Sequence, residues 1–161
     1  MEQEATTSQG LGALFRALAD EAVAYAVFGA VALALHGLPR ATADLDLFIE
    51  PMAENVERLK WALHRVWDDP TIDEISAEDL CGEYPAVRYY PPTGFFLDIV
   101  SRIGTAFSWN DLEIREVRYE GVPVRVVSPE TLWRMKRDSV RPGDRLDAAL
   151  LAERFGLGDG S

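Results

Sequence analysis

Apolar residues recur at Leu11, Leu14, Phe15 and Leu18, a spacing that predicts a helix over 11–21. Ala24-Tyr25-Ala26-Val27-Phe28 is a short apolar run that reads as a strand, and Gly29 ends it. Residues 30–36 read as a second helix, stopped by Gly37 and Pro39. Asp44-Leu45-Asp46-Leu47-Phe48-Ile49 begins with strict polar–apolar alternation, the signature of a half-buried strand. After Pro51, residues 53–66 place Val56, Leu59, Leu63 and Val66 on one face of an amphipathic helix. Residues 68–84 are acidic and irregular, with room for one short helix.

Two hairpins follow. The first joins 86–90 to 95–100 through Pro91-Pro92-Thr93-Gly94, and the second joins 114–119 to 122–127 with Glu120-Gly121 at its turn. Ser128 suits a helix cap and Pro129 the first helical position, which predicts a helix from 129 to about 140. Pro142-Gly143 reads as a break, and Asp144 as the cap of a last helix ending near Phe155. The order is helix, strand, helix, strand, helix, two hairpins, two helices. It fits one α+β domain over 1–161, a mixed sheet flanked by helices, with its core over about 11–155 and a loose tail at 156–161.

Composition narrows the function classes. The chain is 48% hydrophobic and 27% charged, ordinary for a globular protein. No apolar run is long enough to span a bilayer, and the acidic, polar start lacks the character of a secretory signal. The single cysteine, Cys81, excludes an internal disulfide and a cysteine-based zinc site. The expected compartment is the cytoplasm. A net charge of −11 and a pI near 4.6 argue against a broad nucleic-acid-binding face. Residues 134–145 are nevertheless locally basic, either as a solvated helix end or as a cationic patch facing an acidic cleft.

The candidate chemistry lies in three carboxylates. Asp44 and Asp46 stand two apart on a predicted strand, so both project from one face while Leu45 and Leu47 take the other. Like charges so placed repel unless a proton or cation intervenes. Magnesium, a hard ion, accepts carboxylate oxygens and keeps positions for phosphate and water. Asp98 sits within the otherwise apolar strand Phe95-Phe96-Leu97-Asp98-Ile99-Val100, where an unpaired carboxylate would be costly. Either it converges with Asp44 and Asp46, or it pairs with Arg88 across the hairpin. Gly29, at a strand-to-helix turn, lets an anion approach the main chain, although a tight turn alone would also account for it. His36 reads as the end of its helix with a favourable dipole contact, and His64 as an exposed side chain with no partner evident in sequence. Trp61, Trp67, Tyr84, Tyr89 and Tyr90 read as core or hairpin packing, with the lining of an acceptor cleft as the alternative for Tyr84 to Tyr90.

Phe28-Gly29-Ala30, Asp44-Leu45-Asp46 and Leu97-Asp98-Ile99 together resemble the polymerase-beta-type nucleotidyltransferase superfamily. The run from Gly29 to Asp46, with Arg40-Ala41-Thr42 before the acidic pair, looks like the minimal branch that includes AbiEii-like and MenT-like toxins of toxin–antitoxin systems. Ser128 to Lys136 and Arg141 to Asp147 are also similar, and the resemblance covers about 23–151. It implies a nucleotidyltransferase fold and transfer of a nucleotide from an NTP to an acceptor hydroxyl of tRNA, protein or a small molecule. It also implies Mg²⁺ or Mn²⁺ on Asp44, Asp46 and Asp98, which are also the implied catalytic residues, and nucleotide contacts from Gly29, Ala30, Arg40, Thr42 and Lys136. Within the family that C-terminal region supplies a lysine toward the triphosphate and an acidic residue near the site. A cognate antitoxin is an implied partner.

One departure supports a rival. The family usually has Gly-Ser or Gly-Gly in the turn, and this chain has Gly29-Ala30. Alanine keeps the backbone donor and loses the hydroxyl, a change of about 0.5–1.5 kcal/mol for one hydrogen bond. The alternative is a weak or inactive member of the fold acting as a nucleotide-binding or protein-interaction module. For Lys136, one turn beyond Leu132 and Trp133, the register predicts an ammonium presented to the cleft, with Arg134 and Arg137 on the outer side.

Overall fold

The computed structural model describes residues 2–38, 44–83, 85–92, 95–139 and 141–158. Among them, α1 (Glu2–Asp20) leads into β1 (Tyr25–Phe28), α2 (Gly29–Leu35), β2 (Asp44–Ile49) and α3 (Ala53–Val66). A 3-10 turn (Pro70–Glu74) and the one-turn α4 (Ala77–Leu80) fill the acidic middle segment. The strands β3 (Ala86–Tyr89) and β4 (Phe96–Val100) follow, then the short β5 (Arg102–Ile103) and β6 (Phe107–Ser108). A 3-10 turn (Trp109–Asp111), β7 (Ile114–Tyr119), β8 (Val122–Val127), α5 (Pro129–Arg137) and α6 (Pro142–Phe155) complete the order.

Six strands form one mixed sheet in the order β3-β4-β2-β1-β8-β7. β2 lies antiparallel to β1 and parallel to β4, and β1 lies parallel to β8. The alternation read in β2 holds: Leu45 and Leu47 are buried while Asp44 and Asp46 are partly exposed on the other face. Val56, Leu59 and Leu63 of α3, with Leu14, Phe15 and Leu18 of α1, join the same core as Leu45 and Leu47. Asn55 ties the chain together where β1 begins and β2 ends. Its side chain accepts from the Ala24 N–H and donates to the Ala24 and Glu50 carbonyls. Glu120 and Gly121 both adopt positive φ, 50° and 80°, as a two-residue hairpin turn of the primed type requires.

Several boundaries differ from expectation. α1 begins at Glu2, well before residue 11. α5 stops at Arg137, and its Ser128 cap accepts from the Thr131 N–H as expected. Pro142 opens α6 rather than breaking the chain: proline suits the first helical position, where no N–H is needed. Asp144 therefore lies inside the first turn and is not the cap. Gly156 ends α6 in the left-handed conformation, and the Leu157 N–H closes on the Ala152 carbonyl, a common helix C-terminus. Trp61 is 56% exposed, which corrects its reading as core; Tyr90 is exposed but packs on the Phe96 ring across the hairpin, 5.5 Å between centroids, and Trp67 and Tyr89 are buried. No helix among the described residues is long and apolar enough to cross a membrane.

Candidate active site

The parallel pairing of β2 and β4 sets Asp46 directly beside Asp98, and Asp44 beside Phe96. Partners in register point to the same face, so Asp98 shares the face of Asp44 and Asp46. On the other side of β2, Asp46 pairs with Phe28, which brings the turn at Gly29 to the same place. Gly29 has φ +73°, and a Cβ there would meet the Asp46 carboxyl. Gly29, Ala30, Asp44, Asp46 and Asp98 line a cleft of about 750 Å³ together with Leu132, Met135, Lys136 and Ser139 of α5 and its end, and Asp144 and Asp147 of α6. Arg88, Arg102 and Arg141 also line it. Arg40, Thr42 and Tyr84 lie outside the described residues.

Electrostatics at Asp46 are unusual. Burial pushes its carboxyl up to about 6, and the neighbouring Asp98 and Asp44 add to the shift, against a smaller opposing pull from Lys136 and Arg141. Ionising Asp46 is therefore costly until positive charge arrives beside it. The donors on this face are carboxylate oxygens, which suits a hard divalent cation such as Mg²⁺ or Mn²⁺.

The third carboxylate is held elsewhere. Arg88, which faces Asp98 across the β3–β4 pair, donates Nε to Oδ1 at 2.6 Å and Nη2 to Oδ2 at 3.0 Å. Its guanidinium lies over the Phe96 ring, 4.3 Å from the centroid. Asp98 thus stands beside Asp46 along the sheet and is ion-paired with Arg88, as one of its two sequence readings expects. Accordingly, among the described residues no three acidic, histidine or cysteine side chains stand in a ready-made metal-holding arrangement. Asp44 and Asp46 have the oxygen-donor chemistry that suits such an ion.

Lys136 reaches the cleft from α5, and its side chain is only 13% exposed. Its Nζ lies 3.1 Å from Asp144 Oδ1 and 3.0 Å from Asp147 Oδ2. Ser139 Oγ donates to Asp144 Oδ2 at 2.7 Å. Burial pushes the Asp144 carboxyl up, but the bonds from Ser139 and Lys136 outweigh it and hold the group below the ordinary carboxylate range. The sequence gives Asp144 the role of a cap and leaves Ser139 unassigned, and the family resemblance expects one acidic residue of the stretch ending at Asp147 near the site without singling one out. A signal was available: with Pro142 at the first helical position, Asp144 and Asp147 fall three apart on one face of α6. Arg134 and Arg137 are exposed, as their register implies, and Arg137 stacks over Trp133 at 4.5 Å.

The histidines stand apart from this chemistry. His36 ends α2, and its Nε2 is 2.8 Å from the Val127 carbonyl. Burial lowers its pKa, so the neutral ring, rather than a charge–dipole contact, fits its place. His64 does have a partner, Asp73 Oδ1 at 2.9 Å, supplied by the 3-10 turn that packs against α3.

Comparison with known proteins places the architecture. No protein-family model matches the sequence, and no curated protein sequence matches it. Solved structures do, among them the following three. A protein from Thermotoga maritima assigned to the nucleotidyltransferases, TM1012, superposes with a TM-score of 0.51 at 17% identity, over 91% of this chain and 90% of its own. The antibiotic-resistance factor ANT(2'')-Ia gives 0.56 at 19% identity, over 94% of this chain and 85% of its own. An antigenic nucleotidyltransferase-like protein from Paracoccidioides brasiliensis gives 0.51 at 18% identity, over 92% and 75%. The chain has the fold these proteins share, an α+β arrangement with a mixed sheet flanked by helices.

Proposed function

We propose that this protein is a metal-dependent nucleotidyltransferase that moves a nucleoside monophosphate from an NTP to an acceptor hydroxyl. The observation that carries the reading is the register of β2 against β4. It sets Asp46 beside Asp98 on the face of Asp44, at the mouth of the Gly29 turn. The likeness in fold to TM1012 and ANT(2'')-Ia supports the same class.

Asp44 and Asp46 would hold Mg²⁺ or Mn²⁺, with Asp98 joining them. An ion held there would supply positive charge to the phosphates and to the attacking hydroxyl. The chain's own groups do the rest. Gly29 and Ala30 offer backbone N–H groups to phosphate oxygens, and Lys136, with Arg40 and Thr42, orients the triphosphate. Asp98 accepts the proton of the acceptor hydroxyl as it attacks the α-phosphorus and pyrophosphate leaves. Asp144 and Asp147 hold the Lys136 ammonium at the cleft wall, so little side-chain freedom is lost when a phosphate arrives.

The resemblance to AbiEii-like and MenT-like proteins supports a cytoplasmic toxin with a cognate antitoxin, whose acceptor is tRNA or protein. The likeness to ANT(2'')-Ia supports a small-molecule acceptor instead. A rival reading is a weak or inactive member of the fold that binds nucleotide or a protein partner. Ala30 in the turn, and Asp98 held by Arg88, favour it. Incubation with α-labelled NTPs, Mg²⁺ or Mn²⁺, and tRNA, cell protein and aminoglycosides in separate reactions tests the proposal. Label transferred by the wild type and not by Asp46→Asn supports it. Label transferred to none of them, by a protein that still binds NTP, favours the rival.

A further inference from the structure

The proposed mechanism requires Asp98 beside the metal, yet both of its carboxylate oxygens are taken by the Arg88 fork at 2.6 and 3.0 Å. A fork of this kind is directional and charge-assisted. The Arg88 Cζ lies over the Phe96 ring, 4.3 Å from its centroid, a cation–π contact that favours this position of the guanidinium. Arg88 also lines the same cleft as Gly29, Ala30 and Lys136, where the reading above puts the triphosphate.

We infer that Arg88 is a positioning residue that exchanges partners: it holds Asp98 away from the metal position in the nucleotide-free protein, and gives it up for a phosphate oxygen when NTP enters. This inference rests on the reading of the cleft as a metal–nucleotide site. Its consequence is coupling. Without nucleotide, an incoming cation competes with Arg88 for Asp98 and binds weakly. With nucleotide, Arg88 gains an anionic partner, Asp98 is released, and metal and NTP each favour the other by the same factor. A purely structural ion pair would hold β3 to β4 and would have no such dependence on nucleotide.

The test is titration with Mn²⁺, followed by the paramagnetic resonance signal of the free ion, with and without a non-hydrolysable NTP analogue. The proteins are wild type, Arg88→Ala, Arg88→Lys and Arg102→Ala. Arg102→Ala removes a cleft cation without touching Asp98 and so measures the effect of charge alone. Melting curves check that each variant is folded. Without nucleotide, Arg88→Ala should bind Mn²⁺ about two- to fivefold more tightly than wild type, the scale of one exposed ion pair. Arg88→Lys, which keeps the charge and loses the fork, should show part of that gain. With the analogue present the advantage should vanish or reverse, because the phosphate contact is lost too. Equal tightening by Arg102→Ala, or Arg88 variants that bind no more tightly than wild type without nucleotide, would overturn the inference. If the wild type binds no Mn²⁺ even with the analogue, the metal–nucleotide reading fails together with it. Wild-type binding with unchanged Arg88 variants sinks the exchange alone.

Discussion

Gly29 and Asp46 occupy the same small space: a Cβ on Gly29 would come within 2.9 Å of Asp46 Cγ. The antiparallel pairing of Phe28 with Asp46 causes this closeness, and the φ of +73° at Gly29 turns the chain from β1 into α2 without obstructing the carboxyl. Any other residue would be strained in φ and would push Asp46 from its place. Gly29→Ala should cost about 1–3 kcal/mol of stability, seen as a lower Tm, and should also weaken metal-dependent NTP binding. A variant that melts like wild type would show that the turn is adaptable and that Asp46 can move.

Asp46 itself should make stability depend on pH. Its folded-state carboxyl titrates near 6, above the ordinary value of 3.8, so the folded protein binds more protons than the unfolded chain between these values. Stability from this group is then full below pH 3.8 and is lost as pH rises through about 6. In chelator at pH 7.5, Asp46→Asn should be more stable than wild type by about 1–3 kcal/mol, from roughly 1.4 kcal/mol per unit, and the difference should close near pH 4. Thermal melts across pH 4–8 measure it. An Asp46→Asn protein that is less stable at pH 7.5 would mean that Asp46 is well compensated without metal.

Much of this site is readable in the chain because strand chemistry has a short period. Two residues separate Asp44 from Asp46, and alternation alone puts them on one face. Asp98 stands out because a carboxylate in Phe95-Phe96-Leu97-Asp98-Ile99-Val100 needs a reason. What periodicity cannot supply is which strands are neighbours, and that decides that Asp98 meets Asp46 as well as Arg88. The C-terminal wall was harder to read. Pro142-Gly143 has the chemistry of a break, and the same proline is equally suited to open a helix; the second role moves Asp144 from cap to cleft wall. β5 and β6 are two residues each, too short for any period to show. The Asp73 partner of His64 comes from a 3-10 turn inside the acidic segment, where composition carries no register.

Lys136 and Arg137 are sequence neighbours with opposite expectations. Lys136 is the cation held between Asp144 and Asp147, and Asp147 is buried. Lys136→Ala should therefore lower stability by roughly 2–4 kcal/mol, as loss of the cation from a buried pair does, and should cut the rate of NTP turnover at least about tenfold. The register alone suggests near-equal stability for the two alanine variants, and the carboxylate pair overrides that suggestion. Arg137→Ala loses its place over Trp133, about 0.5–1 kcal/mol, and an exposed contact with Asp138 at 3.5 Å that adds little. Asp147→Asn in the Lys136→Ala background should restore part of the stability and none of the activity. Melting curves and initial rates for the three proteins decide the point; a silent Lys136→Ala would remove the lysine from both roles.

At Ala30, the absent hydroxyl sets a further expectation. Ala30→Ser should tighten NTP binding by about two- to tenfold, the worth of one hydrogen bond, if phosphate sits against the Gly29–Ala30 turn. Titration with a non-hydrolysable NTP analogue in Mg²⁺ is the measurement. No change would place the phosphate elsewhere in the cleft.

The central claim is that Asp44, Asp46 and Asp98 form one divalent-cation site completed by nucleotide. Calorimetric titration of the NTP analogue into wild type and Asp46→Asn, each with Mg²⁺ and with chelator, tests it most directly. Wild type should bind tightly only with Mg²⁺, and Asp46→Asn should gain nothing from it. Binding of the nucleotide that is indifferent to Mg²⁺, or equal in the two proteins, would contradict it.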